Sequence, residues 1–489
     1  MEPKYIFVIG EAVTSTQRAV VAASLARVLL SRGLKVNMLK CVPCLNSDFE
    51  TISNDSEELF VTHDGSVCDF ALGYYERFTD VKMSGSNCIT TGRIIQNVMS
   101  RERRGEYVGE RVQIVPHATD EVKRCVEALG VGNDFVVVEI GGSLNNVETI
   151  PWVEAIKQLK EEREEDCAIV NIVNADEPSA DEVLPCDVVV ETDNAEEASI
   201  YAMPLQLIEQ QIDEQVLWAI GLHDVRKADL SEWRTMLERM QSVDSVVSIG
   251  IVGENAESEL AYRSLKESLL MSGARNGVKV ELKLLRADQI NDGSVEALMS
   301  DVDGVVIASG IGSRGLEGRI AAVKWCREND VPTLAIGLGM HSLVIEYARN
   351  VLGLREANST EADARTAHNV IDLMTDQKAY SGMGGAMRMG VYRCELAEGS
   401  RVADMCGSQI LNERHYHRGE LNNLYMEQLK EAGLRCSGVN PTTRLVEVVE
   451  IAAHKLMVGV QFQPEYNNSA LQPNELIMGF VRQVKEEIK

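Results

Sequence analysis

Short, continuously apolar runs alternate along this chain with longer stretches whose apolar positions recur every three or four residues. Tyr5-Ile6-Phe7-Val8-Ile9-Gly10 is apolar throughout and predicts a strand buried on both faces. A turn follows, then Val21, Leu25, Val28 and Leu29 share one face of a helix predicted from about Gln17 to Ser31. Leu34 to Leu39 predicts the next strand, which completes a β-α-β unit with a phosphate-loop position between its first strand and its helix. Asp134 to Glu139, Cys167 to Val173 and Cys186 to Glu191 predict further strands.

From about Val225 to Asp244 the pattern becomes charged and helical, with Leu230, Trp233, Met236, Leu237 and Met240 on the apolar stripe. A second alternating unit begins at Val246. Its predicted order is strand 246–252, helix 257–272, strands 277–286 and 303–308, helix 315–329, strand 332–336 and helix 338–353. Shorter alternating segments follow 386, and the chain closes on a helix from Asn474 to Glu487. The simplest account is two α/β domains joined near residue 240.

One stretch carries a chemical signal by omission. Ala335-Ile336-Gly337-Leu338-Gly339-Met340 passes from a strand pattern into a helix pattern. A sharp turn of this kind lifts its central side chain into an open cleft, where a nucleophile would sit. Here the central residue is Gly337.

Composition narrows the function classes. The 489 residues suffice for two or three domains. The 75 acidic residues against 48 basic ones give a net charge of −27, which argues against nucleic acid or an anionic membrane as partner. No apolar run is long enough to span a bilayer. Met1-Glu2-Pro3-Lys4 leads straight into the first strand, so a cytoplasmic chain without secretory signal is expected. The 11 cysteines are expected to be free thiols, Cys41 and Cys44 included, because no second pair completes a zinc site.

Over nearly its whole length the chain resembles CTP synthase. In the N-terminal half the resemblance rests on Lys4 to Gly10, Phe60-Val61-Thr62, Gly73 to Phe78, Thr90-Thr91-Gly92, Arg101 to Gly105 and Val138 to Gly142. In the C-terminal half it rests on Gly310 to Glu317, Gly339-Met340, Ala357 to Glu361, Glu413-Arg414-His415, Asn422-Asn423, Val460 to Phe462 and Pro464-Glu465. The resemblance implies a P-loop-like parallel-sheet synthetase domain over residues 1–225. A linker helix over 226–245 and a flavodoxin-like class I glutamine amidotransferase domain over 246–489 would follow. It implies ATP and Mg2+ as cofactors, and a family reaction in which UTP is phosphorylated and then aminated by ammonia released from glutamine.

The residues that should carry this chemistry depart from the family pattern. The family's nucleophilic cysteine is Gly337 and its basic histidine is Gln463, so of the triad only Glu465 remains. A glutamine amide takes up no proton near neutral pH and cannot act as general base. A rescue pair would have to come from His341 and a cysteine such as Cys326; a structural histidine is the expected reading of His341. The family's P-G-G-F-G loop is Ala308 to Gly312, while Gly310, Leu338, Glu361 and Arg418 stand at glutamine-pocket positions.

In the phosphate loop, Gly10 to Ala19 lacks three family glycines and carries Arg18 in place of lysine. Glu11 adds an anion beside an anion site. The resemblance assigns nucleotide contacts to Thr14, Ser15, Arg18, Lys40 and Glu148. Of the two metal carboxylates, Glu139 is kept and the other is Ala71. The basic loop that holds UTP has no counterpart between Asn174 and Val188. An inactive homologue is therefore expected, with a regulatory, ligand-binding or scaffolding role. It could bind nucleotide or glutamine and form a homo-oligomer, or a hetero-oligomer with an active CTP synthase. The alternative is a divergent active synthase or ammonia-dependent ligase.

Overall fold

The computed structural model describes residues 2–11, 13–49, 58–174, 184–192, 199–243, 245–256, 258, 260–373 and 387–488. The chain divides into two units: Met1–Asn54 with Val67–Leu237, and Asp55–Ser66 with Glu238–Lys489. The division falls inside the helix Ser231–Gln241.

The apolar runs of the first unit become β1 (Lys4–Ile9), β2 (Val36–Val42), β3 (Cys88–Thr90), β4 (Phe135–Ile140), β5 (Cys167–Asn174) and β6 (Val188–Thr192). They form one sheet in the order β3-β2-β4-β1-β5-β6, parallel throughout. Parallel strands are covered on both faces, which is why these segments are apolar without alternation. Three helices, α3 (Thr91–Arg103), α4 (Thr119–Gly130) and α5 (Ile150–Glu162), pack on one face with Tyr5, Phe7, Val136 and Val138. Helix α1 (Ser15–Ser31) follows β1, and α2 (Ala71–Thr79) packs against it. Helix α1 starts two residues earlier than the periodicity predicts because Thr14 caps it. The Thr14 hydroxyl accepts from Gln17 N at 3.2 Å and the Gln17 side chain accepts from Thr14 N at 2.8 Å.

In the second unit, β7 (Val246–Gly253), β8 (Lys279–Arg286), β9 (Gly304–Ile307), β10 (Thr333–Ile336), β11 (Arg388–Leu396), β12 (Ile410–His417), β13 (Leu434–Val439), β14 (Val446–Ile451) and β15 (Met457–Val460) make a nine-stranded sheet. Its order is β8-β7-β9-β10-β15-β14-β13-β11-β12. The strands are parallel from β8 to β15 and antiparallel beyond. Successive side chains point to opposite faces. Val305 and Ile307 accordingly join one core with the helices Leu316–Glu328 and Leu338–Asn350. Val306 and Ala308 join the other, with the helices Arg263–Asn276 and Glu475–Glu487.

The helix predicted over 257–272 lies at Arg263–Asn276. Tyr262 at φ 55° breaks the backbone before it, the Glu58 carboxylate accepts from Ser264 N at 2.8 Å, and Gly277 at φ 64° ends it in a left-handed cap. The missing loop expected between Asn174 and Val188 falls mostly on residues 175–183, outside the described residues.

The helix Leu338–Asn350 is pressed onto β9 at one point. A Cβ on Gly339 would stand 2.1 Å from the carbonyl oxygen of Ile307. Gly339→Ala is therefore expected to destabilise the second unit by about 3 kcal/mol or more, read as a lower thermal midpoint.

Candidate functional site

In the first unit the register of two strands sets the centre. Lys40 on β2 stands opposite Glu139 on β4. Both are buried, and the Lys40 ammonium pairs directly with Glu139 Oε1. The second carboxylate oxygen accepts from Tyr75 Oη of α2 at 2.5 Å. Arg18 of α1 folds back over the loop that precedes it: its Nη1 donates to the carbonyls of Gly10 and, at 3.2 Å, of Val13, and its Nε lies 4.0 Å from Glu139. Burial works against the charge on Lys40, but Glu139 outweighs it and holds the ammonium above its ordinary value. Burial, reinforced by Glu139, pushes the Tyr75 phenol far up, so it stays a donor.

These residues do not fit Mg2+. A hard cation needs several carboxylate or other oxygen ligands. Ala71 contributes only a buried methyl, and Glu139 already answers one ammonium and one phenol. Among the described residues no group of three His, Cys, Asp or Glu could hold a metal ion. The phosphate loop is met from inside as well. Glu11 Oε1 accepts from Leu144 N at 2.9 Å, Ser143 Oγ at 3.1 Å and Asn145 Nδ2 at 3.4 Å, three donors suited to an anion. Thr14 serves as helix cap, and Ser15 is exposed as the first residue of α1. Glu148 is half-buried; its carbonyl accepts from Thr91 Oγ1. The structure thus brings Arg18, Lys40 and Glu139 together and adds Tyr75, which lies inside a recognised motif but has no signal of its own.

In the second unit Gly337 ends β10 at φ 54°, ψ −111°, the strained elbow expected from the pattern. A Cβ there would lie 2.7 Å from Ser309 Oγ, 3.4 Å from Ser309 Cβ and 3.3 Å from Gln463 Nε2. Gln463 is buried, and its amide donates to Ser309 Oγ at 3.1 Å and to the Tyr416 carbonyl at 3.2 Å. Neither bond reaches Glu465, whose Oε2 has no hydrogen-bond partner among the described residues. Burial pushes the Glu465 carboxyl up to about 8, so it is neutral at physiological pH.

His341, His415 and His417 supply no strong base. His341 is buried against Gln461 Oε1 at 3.0 Å, and burial lowers it to about 4. Cys326 sits in the helix Leu316–Glu328 with Thr333 as its side-chain partner and is pushed up to about 12 by burial. His341 and Cys326 thus take separate partners and form no nucleophile–base pair. His415 Nδ1 meets His417 Nε2 at 2.8 Å, and burial holds both far below the usual histidine range.

Of the positions that the resemblance assigns to glutamine, Gly310 lies beside Leu338 and Glu361 beside Arg418. Gly310 faces Leu338, whose Cδ2 would be 3.3 Å from a Cβ there. Burial raises the Glu361 carboxyl, while Arg418 and the Gly312 backbone N–H pull it down, so loop 310–312, Glu361 and Arg418 share one neighbourhood. All eleven cysteines are free, Cys41 and Cys44 among them.

A nine-stranded sheet with a strained strand-to-helix elbow suits a class I glutamine amidotransferase unit. Residues 261–483 match the family described as glutamine amidotransferase class-I, and residues 4–181 match CTP synthase N-terminus. The CTP synthase of Porphyromonas gingivalis is 40% identical over 527 residues, covering 99% of this chain and 98% of that protein. That of Bacteroides fragilis is 38% identical, covering 98% and 99%. That of Christiangramia forsetii is 38% identical, covering 99% and 97%. The chain belongs to the CTP synthase family, whose reaction is the amination of UTP to CTP with ATP, Mg2+ and glutamine. Among the described residues no helix is long and apolar enough to cross a membrane.

Two outcomes follow from the buried carboxyls. Glu139→Ala strands the Lys40 charge and the Tyr75 hydroxyl, and is expected to cost about 3–5 kcal/mol of stability, measured by denaturant unfolding. For Glu465, an unfolded carboxyl titrates near about 4.3, while the folded one titrates at about 8. The folded state keeps a proton that the unfolded state has lost, so this stabilising contribution is full at low pH and falls as pH rises between those values. Glu465→Gln is expected to raise stability by roughly 2–4 kcal/mol at pH 8 and to leave it nearly unchanged at pH 4, read from paired thermal melts.

Proposed function

We propose that this chain is a catalytically inert member of the CTP synthase family, acting as a regulatory or scaffolding subunit. The observation that carries the reading is the closure around Glu139. Its two oxygens are taken by Lys40 and Tyr75, Arg18 covers the loop, and the second metal position is Ala71. Loss at the elbow supports it independently, because Gly337 offers no nucleophile and Gln463 no base. The closeness of Gly310 to Leu338 and of Glu361 to Arg418 supports glutamine held without hydrolysis. Partnership with an active CTP synthase is the role that a chain with both family domains and no working site suits best.

A second reading is an active, divergent ligase that draws on free ammonia. The proximity of Arg18, Lys40 and Glu139 favours it, since two cations beside one carboxylate can hold a phosphoryl group. The two readings separate in one assay. Purified protein with UTP, ATP, Mg2+ and either glutamine or ammonium is expected to form no CTP and to show no ATP binding by calorimetry. CTP formation at rates ordinary for the family overturns the inert reading. ATP hydrolysis abolished by Glu139→Gln establishes the ligase instead.

A further inference from the structure

We infer that Ser309 is a steric lock on the elbow, so that the nucleophile position is filled by an added hydroxyl as well as emptied of its thiol. This rests on the reading that the second unit does not hydrolyse glutamine. The space a side chain at 337 would enter is already taken. A Cβ built on Gly337 meets Ser309 Oγ at 2.7 Å, closer than ordinary packing allows, and meets Ser309 Cβ at 3.4 Å, which is a normal contact. The closest obstruction is therefore the hydroxyl, with Gln463 Nε2 next at 3.3 Å, and the hydroxyl obstructs as long as its rotation is restrained.

Gln463 holds the hydroxyl there. A buried primary amide needs acceptors for both of its protons. They are Ser309 Oγ at 3.1 Å and the Tyr416 carbonyl at 3.2 Å. The three departures interlock: glycine at 337 leaves a space, the serine hydroxyl enters it, and the amide at 463 donates to that hydroxyl. The Tyr416 carbonyl takes the other amide proton, so turning the hydroxyl aside would leave the buried amide one acceptor short.

Restoring the thiol alone is then insufficient. In Gly337→Cys, which keeps Gln463, the new Cβ meets the serine oxygen while the amide still holds it, and the elbow or the hydroxyl must shift to admit it. Adding Ser309→Ala removes only the offending atom. The test compares full-length variants with a chloromethyl ketone analogue of glutamine. The introduced thiolate displaces chloride from the chloromethyl carbon, a carbon–sulfur bond forms, and the adduct is located by peptide mass spectrometry.

Ser309→Ala/Gly337→Cys is expected to label at position 337 at least tenfold faster than Gly337→Cys, with protection by glutamine. Ser309→Thr/Gly337→Cys keeps the oxygen and is expected to label as slowly as Gly337→Cys, which separates the hydroxyl from any general loosening of residue 309. Equal labelling across the three, whether fast or absent, overturns the inference, as does a threonine variant as fast as the alanine one. Ammonia released from glutamine by the unaltered protein would sink the inert reading, while the labelling comparison would still decide the role of Ser309.

Discussion

A carboxylate sealed from water must be met by opposite charge and hydrogen bonds supplied by its own protein, because uncompensated burial of an ion is prohibitively unfavourable. Glu139 imposes this condition at the centre of the first unit, where it is fully buried. The parallel register of β2 and β4 delivers Lys40 to it, α2 delivers Tyr75, and Arg18 leans in from α1. In a metal-dependent enzyme part of that compensation would come from the cation and from a second carboxylate. With Ala71 in the second position, the network is completed from within the unit. The same side chains that look like retained catalytic groups in a linear alignment thus act on one another.

The second unit solves a related problem with neutral groups. Burial pushes the Glu465 carboxyl up, and no cation among the described residues holds it ionised, so it keeps its proton. Gln463 must instead find two acceptors for its amide, and the Ser309 hydroxyl and Tyr416 carbonyl provide them. Glu11 plays a comparable part in the first unit, where its carboxylate draws three donors of loop 143–145. At three separated places, donors or acceptors suited to a substrate or cofactor are satisfied by side chains of the chain itself. Buried polar groups left unsatisfied are costly, so substitutions that remove a ligand's partners favour neighbours that fill in.

The fold is largely legible along the chain because buried parallel strands leave continuous apolar runs and amphipathic helices leave a stripe. Tyr5 to Ile9, Phe135 to Ile140 and Thr333 to Ile336 are examples. Helix ends are less legible. The helix at Arg263–Asn276 begins where Tyr262 turns the backbone and Glu58 accepts from Ser264, a contact about 200 residues away in sequence. Part of the candidate site is legible too. The absent side chain at Gly337, the amide at Gln463 and the methyl at Ala71 are plain in the sequence, because each chemistry demands a residue type that is missing.

What the sequence by itself determined is which reactive atoms exist: no thiol at the elbow, no imidazole at 463, one carboxylate where the family has two. What only the tertiary structure decided is what the remaining atoms do. Tyr75 becomes a partner of Glu139 and Ser309 a partner of Gln463 across 64 and 154 residues of chain. Residue identity is local, but burial and hydrogen-bond partnership are set by how distant strands and helices pack. The residue type at each position could be read one at a time; what surrounds it depends on neighbours that only folding brings together.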